Sequence, residues 1–254
     1  MTRYKLTIEY DGLPYSGWQR QSDTPSVQEA LMNAVASFCG ARVDVVGAGR
    51  TDAKVHATAQ VAHIDINMDI DGFKVMQGLN FYLFNPPPES TYPENKIAIL
   101  DVKKVPDDFH ARFSATRRHY LYRIINRRQR LALEAGRAWQ VIEELDEKAM
   151  AEAAKVLVGH HDFTSFRDTR CQSKSPEKTL ELLTVTRRGG EIHICASARS
   201  FLHHQVRNMV GTLSLVGKGK WSVSDVKNAL EARDRRAGGP TCPPDGLYLT
   251  GVDY

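Results

Sequence analysis

The chain has 254 residues, 42% hydrophobic and 25% charged, with a formal net charge of +4. That is enough chain to bury a full core as one large domain or two smaller ones, in a composition ordinary for a globular protein. No apolar stretch approaches the length of a membrane span, which argues against a membrane protein.

The N-terminus, MTRYKLTIEY, reads as a strand rather than a signal peptide. Four cysteines (Cys39, Cys171, Cys195, Cys242) form no C-x-x-C pair and read as reduced thiols in a cytoplasm. A first strand is expected at Tyr4–Tyr10, stopped by Asp11-Gly12. Ser26 and Glu29 carry a capping-box signature, and Val27, Ala30, Leu31, Ala34, Val35 and Phe38 recur at helical spacing as far as Gly40. Strands are expected at 43–47 and 55–66, the second alternating through Val55, Ala57, Ala59 and Val61. A helix at 72–83, a loop at Pro86-Pro87-Pro88 and a strand at 97–104 follow.

The order then repeats. A strand is expected at His119–Ile125 and a helix from Asp146 to Gly159. A hairpin of Leu180–Arg187 and Glu191–Ala198 turns about Gly189-Gly190. A helix at 202–216, a helix at Ser222–Arg233, a loop at 238–246 and a strand at Leu247–Val252 complete the chain. Two passes of this kind predict an α+β fold of two similar halves, each a largely antiparallel sheet covered by helices, with a central positively charged cleft between them. The halves are expected at 1–105 and 106–254, the join falling near Val105–Thr116.

Charge is unevenly placed. From Phe109 to Leu133 there is no Asp or Glu, but there are seven arginines, interleaved with Phe109, Phe113, Tyr120 and Tyr122. Cations for phosphates and rings for bases are what a nucleic-acid surface needs, although a solvated charged face has a similar composition.

The stretch VGAGRTDAKVHA (46–57) decides between two chemistries. Gly47-x-Gly49 after a strand resembles the start of a dinucleotide fingerprint, but Asp52 stands where the third glycine belongs and would repel a pyrophosphate. A strand pattern follows where that fingerprint demands a helix, and no Walker motif occurs. What remains is a strand-connecting loop presenting Arg50, Thr51 and Asp52; on its own, Asp52 could simply close an Asx turn. The pairs His160-His161 and His203-His204 raise the question of a metal. Adjacent residues on a helix do not share a face and no carboxylate–His spacing supports a ligand set, so no metal is expected.

GRTDAKVHA resembles the signature GRTDAGVHA of the TruA family of tRNA pseudouridine synthases. The resemblance extends through YDGLPYSGWQRQ, SVQEAL, VPDDFHARFSA, RRHYLYRI, HDFTSFR, CQSKSP, FLHHQVRNMVG and GLYLTGVDY. It implies isomerisation of uridine to pseudouridine in the anticodon stem-loop of tRNA, at positions 38–40, with no cofactor and no metal. It also implies a cytoplasmic homodimer with tRNA lying across both subunits. Such chemistry needs an ionised carboxylate beside an extruded nucleotide.

By the resemblance, Asp52 is that carboxylate, Arg50 enters the RNA and holds the target base out, and Tyr120 packs on the uracil. Arg207 pairs with Asp52 and keeps it ionised. Its position suits that role: Leu202, Val206, Met209, Val210 and Leu213 form a buried stripe, and Arg207 lies at the stripe's edge. The segments Phe109, His110, Ala111, Arg112, Phe113 and Arg170, Cys171, Gln172, Ser173, Lys174 correspond to tRNA contacts, with Arg112 and Arg128 expected on phosphates. Lys54 stands where the family has glycine, a substitution that costs on the order of 1–2 kcal/mol if the backbone there is left-handed. A non-catalytic tRNA-binding protein and a nucleotide-dependent oxidoreductase are the rival readings. The complete Arg50-Asp52-Tyr120-Arg207 set favours the enzyme.

Overall fold

The computed structural model describes residues 1–86 and 96–254; of the expected triproline loop, Pro87 and Pro88 lie outside the described residues. The chain forms two compact units, residues 1–116 with 248–254, and residues 117–247.

In the first unit, β1 (Thr2–Tyr10) turns Tyr4, Leu6, Ile8 and Tyr10 inward, the period-two pattern of a strand packed on one face. α1 (Val27–Cys39) begins at Ser26, whose hydroxyl accepts from the Glu29 amide at 3.3 Å, a cap worth about 1 kcal/mol. It ends at Gly40, in the left-handed region at φ 73°. The Glu29 carboxylate lies 3.5 Å from Arg20 Nε.

The strand expected at 43–47 is only β2 (Val46–Gly47). Gly47 lies against the Trp18 indole, so closely that a Cβ there would sit 2.6 Å from the ring. β3 (His56–Ile66), α2 (Gly72–Phe84) and β4 (Ile97–Lys104) follow. β3 runs antiparallel to β1 and β2, and β4 runs antiparallel along β1. α2 packs on α1 and β4, with Gly78 beneath the Phe38 ring.

The second unit holds β5 (Arg117–Asn126), β6 (Trp139–Val141), α3 (Glu147–Lys155), β7 (Gly159–Asp162), β8 (Glu177–Arg188), β9 (Glu191–Ala198), α4 (Gln205–Gly217) and α5 (Val223–Glu231). Antiparallel pairs order its sheet β5-β9-β8-β7, with β6 parallel to β5. Two helix ends differ from expectation by three residues or more. α3 stops at Lys155, and Gly159 at φ 121° opens β7 instead of closing the helix. α4 starts at Gln205 rather than 202, because His204 is left-handed at φ 62° and cannot continue a right-handed helix into the preceding residues.

The last strand, β10 (Leu247–Asp253), belongs to the first unit from Tyr248 on, parallel to β3 through Tyr248 opposite His56 and Leu249 opposite Ala57. Thr116 N donates to Asp253 O at 2.8 Å and the Tyr254 hydroxyl to Ala111 O at 2.8 Å. These bonds draw 106–116 and the C-terminus into one unit, where a division at 105 and 106 would have put them with the second. The chain is thus mixed α+β, with largely antiparallel pairing and five α-helices among the described residues. No helix of the described residues is long and apolar enough to cross a membrane.

Candidate active site

In the first unit, residues 48–55 connect β2 to β3 and are tied down on both sides. Ala48 N donates to Val61 O at 2.7 Å and Gln60 Nε2 to Gly49 O at 3.0 Å. From the other side, Trp18 N donates to Thr51 O at 3.0 Å, and Lys54 N to Tyr15 O at 3.2 Å. Thr51 is only 7% exposed and its hydroxyl meets the Tyr10 hydroxyl at 2.8 Å. The stretch 12–17 lies so close that a Cβ at Gly12 would be 2.0 Å from Val55 O, and one at Gly17 2.6 Å from Thr51 O. Gly17 is also at φ 101°, a conformation glycine adopts without steric cost.

The tip of this loop is a four-residue turn closed by Val55 N donating to Asp52 O at 3.1 Å. The closing bond uses the main-chain carbonyl of Asp52. Lys54, third in the turn, is at φ 66°, the left-handed position where such turns favour glycine. Asp52 is half-buried and Arg50 exposed. Beneath the loop, His56 is 2% exposed, stacks on Tyr248 at 4.7 Å and accepts from Gly12 N at Nδ1. Asp11 lies 3.3 Å from the same nitrogen and 3.0 Å from Lys96. Burial alone would push the Asp11 carboxyl up; the Leu13 amide, Lys96 and His56 outweigh this and hold it below its ordinary value.

The segment Phe109–Phe113, also in the first unit, forms a tight turn over His63. His63 Nδ1 accepts from Ala111 N at 3.2 Å, and His110 Nδ1 accepts from the amides of Arg112 and Phe113. Phe113 is 73% exposed, with the Arg112 guanidinium 5.7 Å from its ring centre. Phe109 instead packs on Tyr254. Of this segment, Arg112 and Phe113 are the side chains most offered to solvent.

In the second unit, Tyr120 stands half-buried on β5, its ring edge-on to Phe201 at 5.1 Å. Arg207 lies in the first turn of α4. Its neighbours Val206, Met209, Val210 and Leu213 are buried as expected, while Arg207 itself is half-buried. Its Nε donates to Cys242 O at 2.9 Å, and Cys242 N donates back to Arg207 O at 3.3 Å. Gly211 lets the Pro240–Cys242 segment come this near: a Cβ there would sit 1.8 Å from Pro240 O. Burial pushes the Cys242 thiol up to about 12 and the Tyr122 phenol well above its ordinary value, so both stay neutral.

Arg128 is exposed in the loop after β5 and lines a cavity of about 1460 Å³ together with Arg127, Arg187, Lys218 and Trp221; neither Tyr120 nor Arg207 lines it. Arg170 and Cys171 gather around Asp168, whereas Gln172 and Lys174 are exposed and the Ser173 hydroxyl donates to Ser175 O at 3.0 Å. His203 and His204 precede α4 rather than lying in it. Their rings are 4.0 Å apart and both face Asp168, so the expectation that adjacent histidines point apart fails here. The sequence pattern alone assigns no site role to Asp168, to Cys242 or to the strap at 12–17, although the last lies within the family-like YDGLPYSGWQRQ. The glycines of that strap were the available signal.

Along its whole length the chain is similar to proteins called tRNA pseudouridine synthase A. That of Maricaulis maris is 55% identical over 254 residues, covering 100% of this chain and 98% of the relative. That of Afipia carboxidovorans is 57% identical, covering 100% of both. The chain belongs to the TruA family of tRNA pseudouridine synthases. The counterpart from Paramagnetospirillum magneticum is 56% identical, covering 100% of this chain and 96% of the relative. The family model described as tRNA pseudouridine synthase matches residues 153–254, which include α4 and Arg207. As a TruA-family member the chain is an isomerase acting on tRNA.

Proposed function

We propose that the chain converts uridine to pseudouridine in the anticodon stem-loop of tRNA, at positions 38–40, in the cytoplasm and as a homodimer, with Asp52 as the working carboxylate. The observation that carries this is the Asp52 loop. A segment matching the family signature is pinned by main-chain and side-chain bonds on both sides, with its turn closed through the backbone of Asp52. A backbone held this way presents the carboxylate from a fixed point, which lowers the reorganisation needed to use a charged side chain.

In the reaction, the bond from N1 of the base to C1′ of the ribose breaks, the base turns, and C5 bonds to C1′. C5 loses its proton to solvent and N1 gains one, so the product is an isomer. Asp52 acts on the nucleotide during bond cleavage. Arg207 is its cationic partner and keeps it ionised. Tyr120 stacks on the loose uracil and excludes water; such stacking is worth roughly 1–3 kcal/mol per base. Arg50 occupies the gap left by the flipped base, and Arg112, Arg128 and the 170–174 segment hold the RNA backbone.

Tritium release from tRNA labelled at uracil C5, followed by mapping of pseudouridine, tests this. Wild-type protein is expected to release tritium and modify positions 38–40, and Asp52→Asn to release only background. Equal release by both proteins would remove Asp52 from the chemistry.

A further inference from the structure

The start of α4 is fixed from outside the helix. Its N-cap, His204, sits at φ 62°, ψ 6° and makes no side-chain cap bond. For a residue with a side chain that backbone costs on the order of 1–2 kcal/mol and persists only where the surroundings over-determine it. The segment at 166–171 does so. Asp168 Oδ2 is 2.8 Å from His204 Nδ1, and Oδ1 is 3.8 Å from His203 Nδ1. Asp168 N donates to His203 O at 2.9 Å, and Asn208 Nδ2 donates to Phe166 O at 2.8 Å.

The carboxylate is itself held in place. Arg170 N donates to Oδ1 at 2.8 Å, and Arg170 Nε lies 3.3 Å from the same oxygen. Burial would raise the Asp168 carboxyl, but the Arg170 amide and guanidinium, with His204 and His203, outweigh it and keep the group ionised. Three residues beyond His204 is Arg207, held on its other side by Cys242 O. The guanidinium is bound through Nε, so its aim depends on where the helix begins. Bringing α4 nearer the Pro240–Cys242 segment is blocked, because Gly211 already lies against Pro240.

We propose that Asp168 and His204 form a positioning clasp: their contact sets the first turn of α4 and thereby the aim of Arg207. The proposal rests on the role given to Arg207 above. Misplacement of a reacting or stabilising group by about 1 Å is enough to cost roughly a hundredfold in rate.

The test is single-turnover pseudouridine formation, with tRNA affinity measured alongside, for wild type, Asp168→Asn, His204→Gln and the double variant. Each single change is expected to slow the bound complex by about tenfold to a hundredfold while Kd for tRNA stays within about threefold. The double variant is expected within about twofold of the slower single, since both changes disable one unit. Should Asp168→Asn fail to fold, judged by thermal melting, His204→Gln carries the same rate criterion. Rates near wild type, rate reductions that multiply in the double variant, or a defect confined to Kd would overturn the clasp. A wild-type protein that modifies no tRNA would instead defeat the proposed function, and that result appears without any variant.

Discussion

Lys54 occupies a backbone conformation better suited to glycine, at φ 66° in the turn that carries Asp52. Relief of left-handed strain is worth on the order of 1–2 kcal/mol, against roughly 0.5–1 kcal/mol of extra chain entropy that glycine loses on folding. The Lys54 side chain is exposed and has little packing to lose. Lys54→Gly is therefore expected to stabilise the protein by about 0.5–1 kcal/mol, read as a higher denaturation midpoint. A lower midpoint would show that the lysine side chain stabilises this turn. This strain was legible in the sequence, because the family signature has glycine where Lys54 stands. So was the loop itself: two glycines, Arg50 and Asp52 fall between a β-branched run and an alternating strand. Asp168 and Cys242 were not legible. An aspartate before Thr-Arg-Cys reads locally as a turn residue, and Cys242 acts through its carbonyl, which every residue possesses. Their meaning comes only from the chain segment folded against them.

α4 shows the same division between local and distant causes. The starts of α1 and α5 are readable because their caps are local: Ser26 binds the Glu29 amide, and Ser222 and Asp225 form a reciprocal box. The start of α4 was misplaced because it is set by a carboxylate on another segment, and the short β6 and β7 went unseen because few residues carry their pattern. One consequence can be tested within α4. Replacing an interior glycine by alanine ordinarily gains roughly 1 kcal/mol of helix propensity. At Gly211 the new methyl would lie 1.8 Å from Pro240 O, a backbone atom that cannot rotate away. Overpacking of this kind costs typically about 1–3 kcal/mol, with more for severe overlap. Gly211→Ala is therefore expected to destabilise by about 2 kcal/mol or more net and to slow turnover, since the same segment presents the Cys242 carbonyl to Arg207. Denaturation and single-turnover rates check both parts; a more stable, fully active variant would show that this approach is not needed.

Over the whole molecule, a net charge of +4 says little, and the arginines between Phe109 and Leu133 are not equivalent. Acidic partners absent from that stretch, or just beyond it, reach two of them: Arg117 pairs with Glu181, and Arg123 is 2.8 Å from Glu134 and 2.9 Å from Glu191. Arg118 donates to Arg199 O at 2.5 Å. These cations are engaged by the fold, which a count along the sequence could not reveal. Arg112 and Arg128 are exposed, Arg112 beside the exposed Phe113 ring. Removing one cation from a phosphate should reduce the slope of log K for tRNA against log salt by about 0.7–0.9, because a bound cation releases counterions in that proportion. Arg112→Ala and Arg128→Ala are accordingly expected each to lower the slope by that amount, with a modest drop in affinity at low salt. Arg123→Ala should leave the slope unchanged and lower thermal stability instead, by leaving Glu134 and Glu191 without their shared cation. Binding isotherms at several salt concentrations, with melting curves on the same three variants, separate the two kinds of arginine. Equal slope changes in all three would mean that Arg123 also serves the RNA, and no change in any would place the electrostatic contacts elsewhere on the surface.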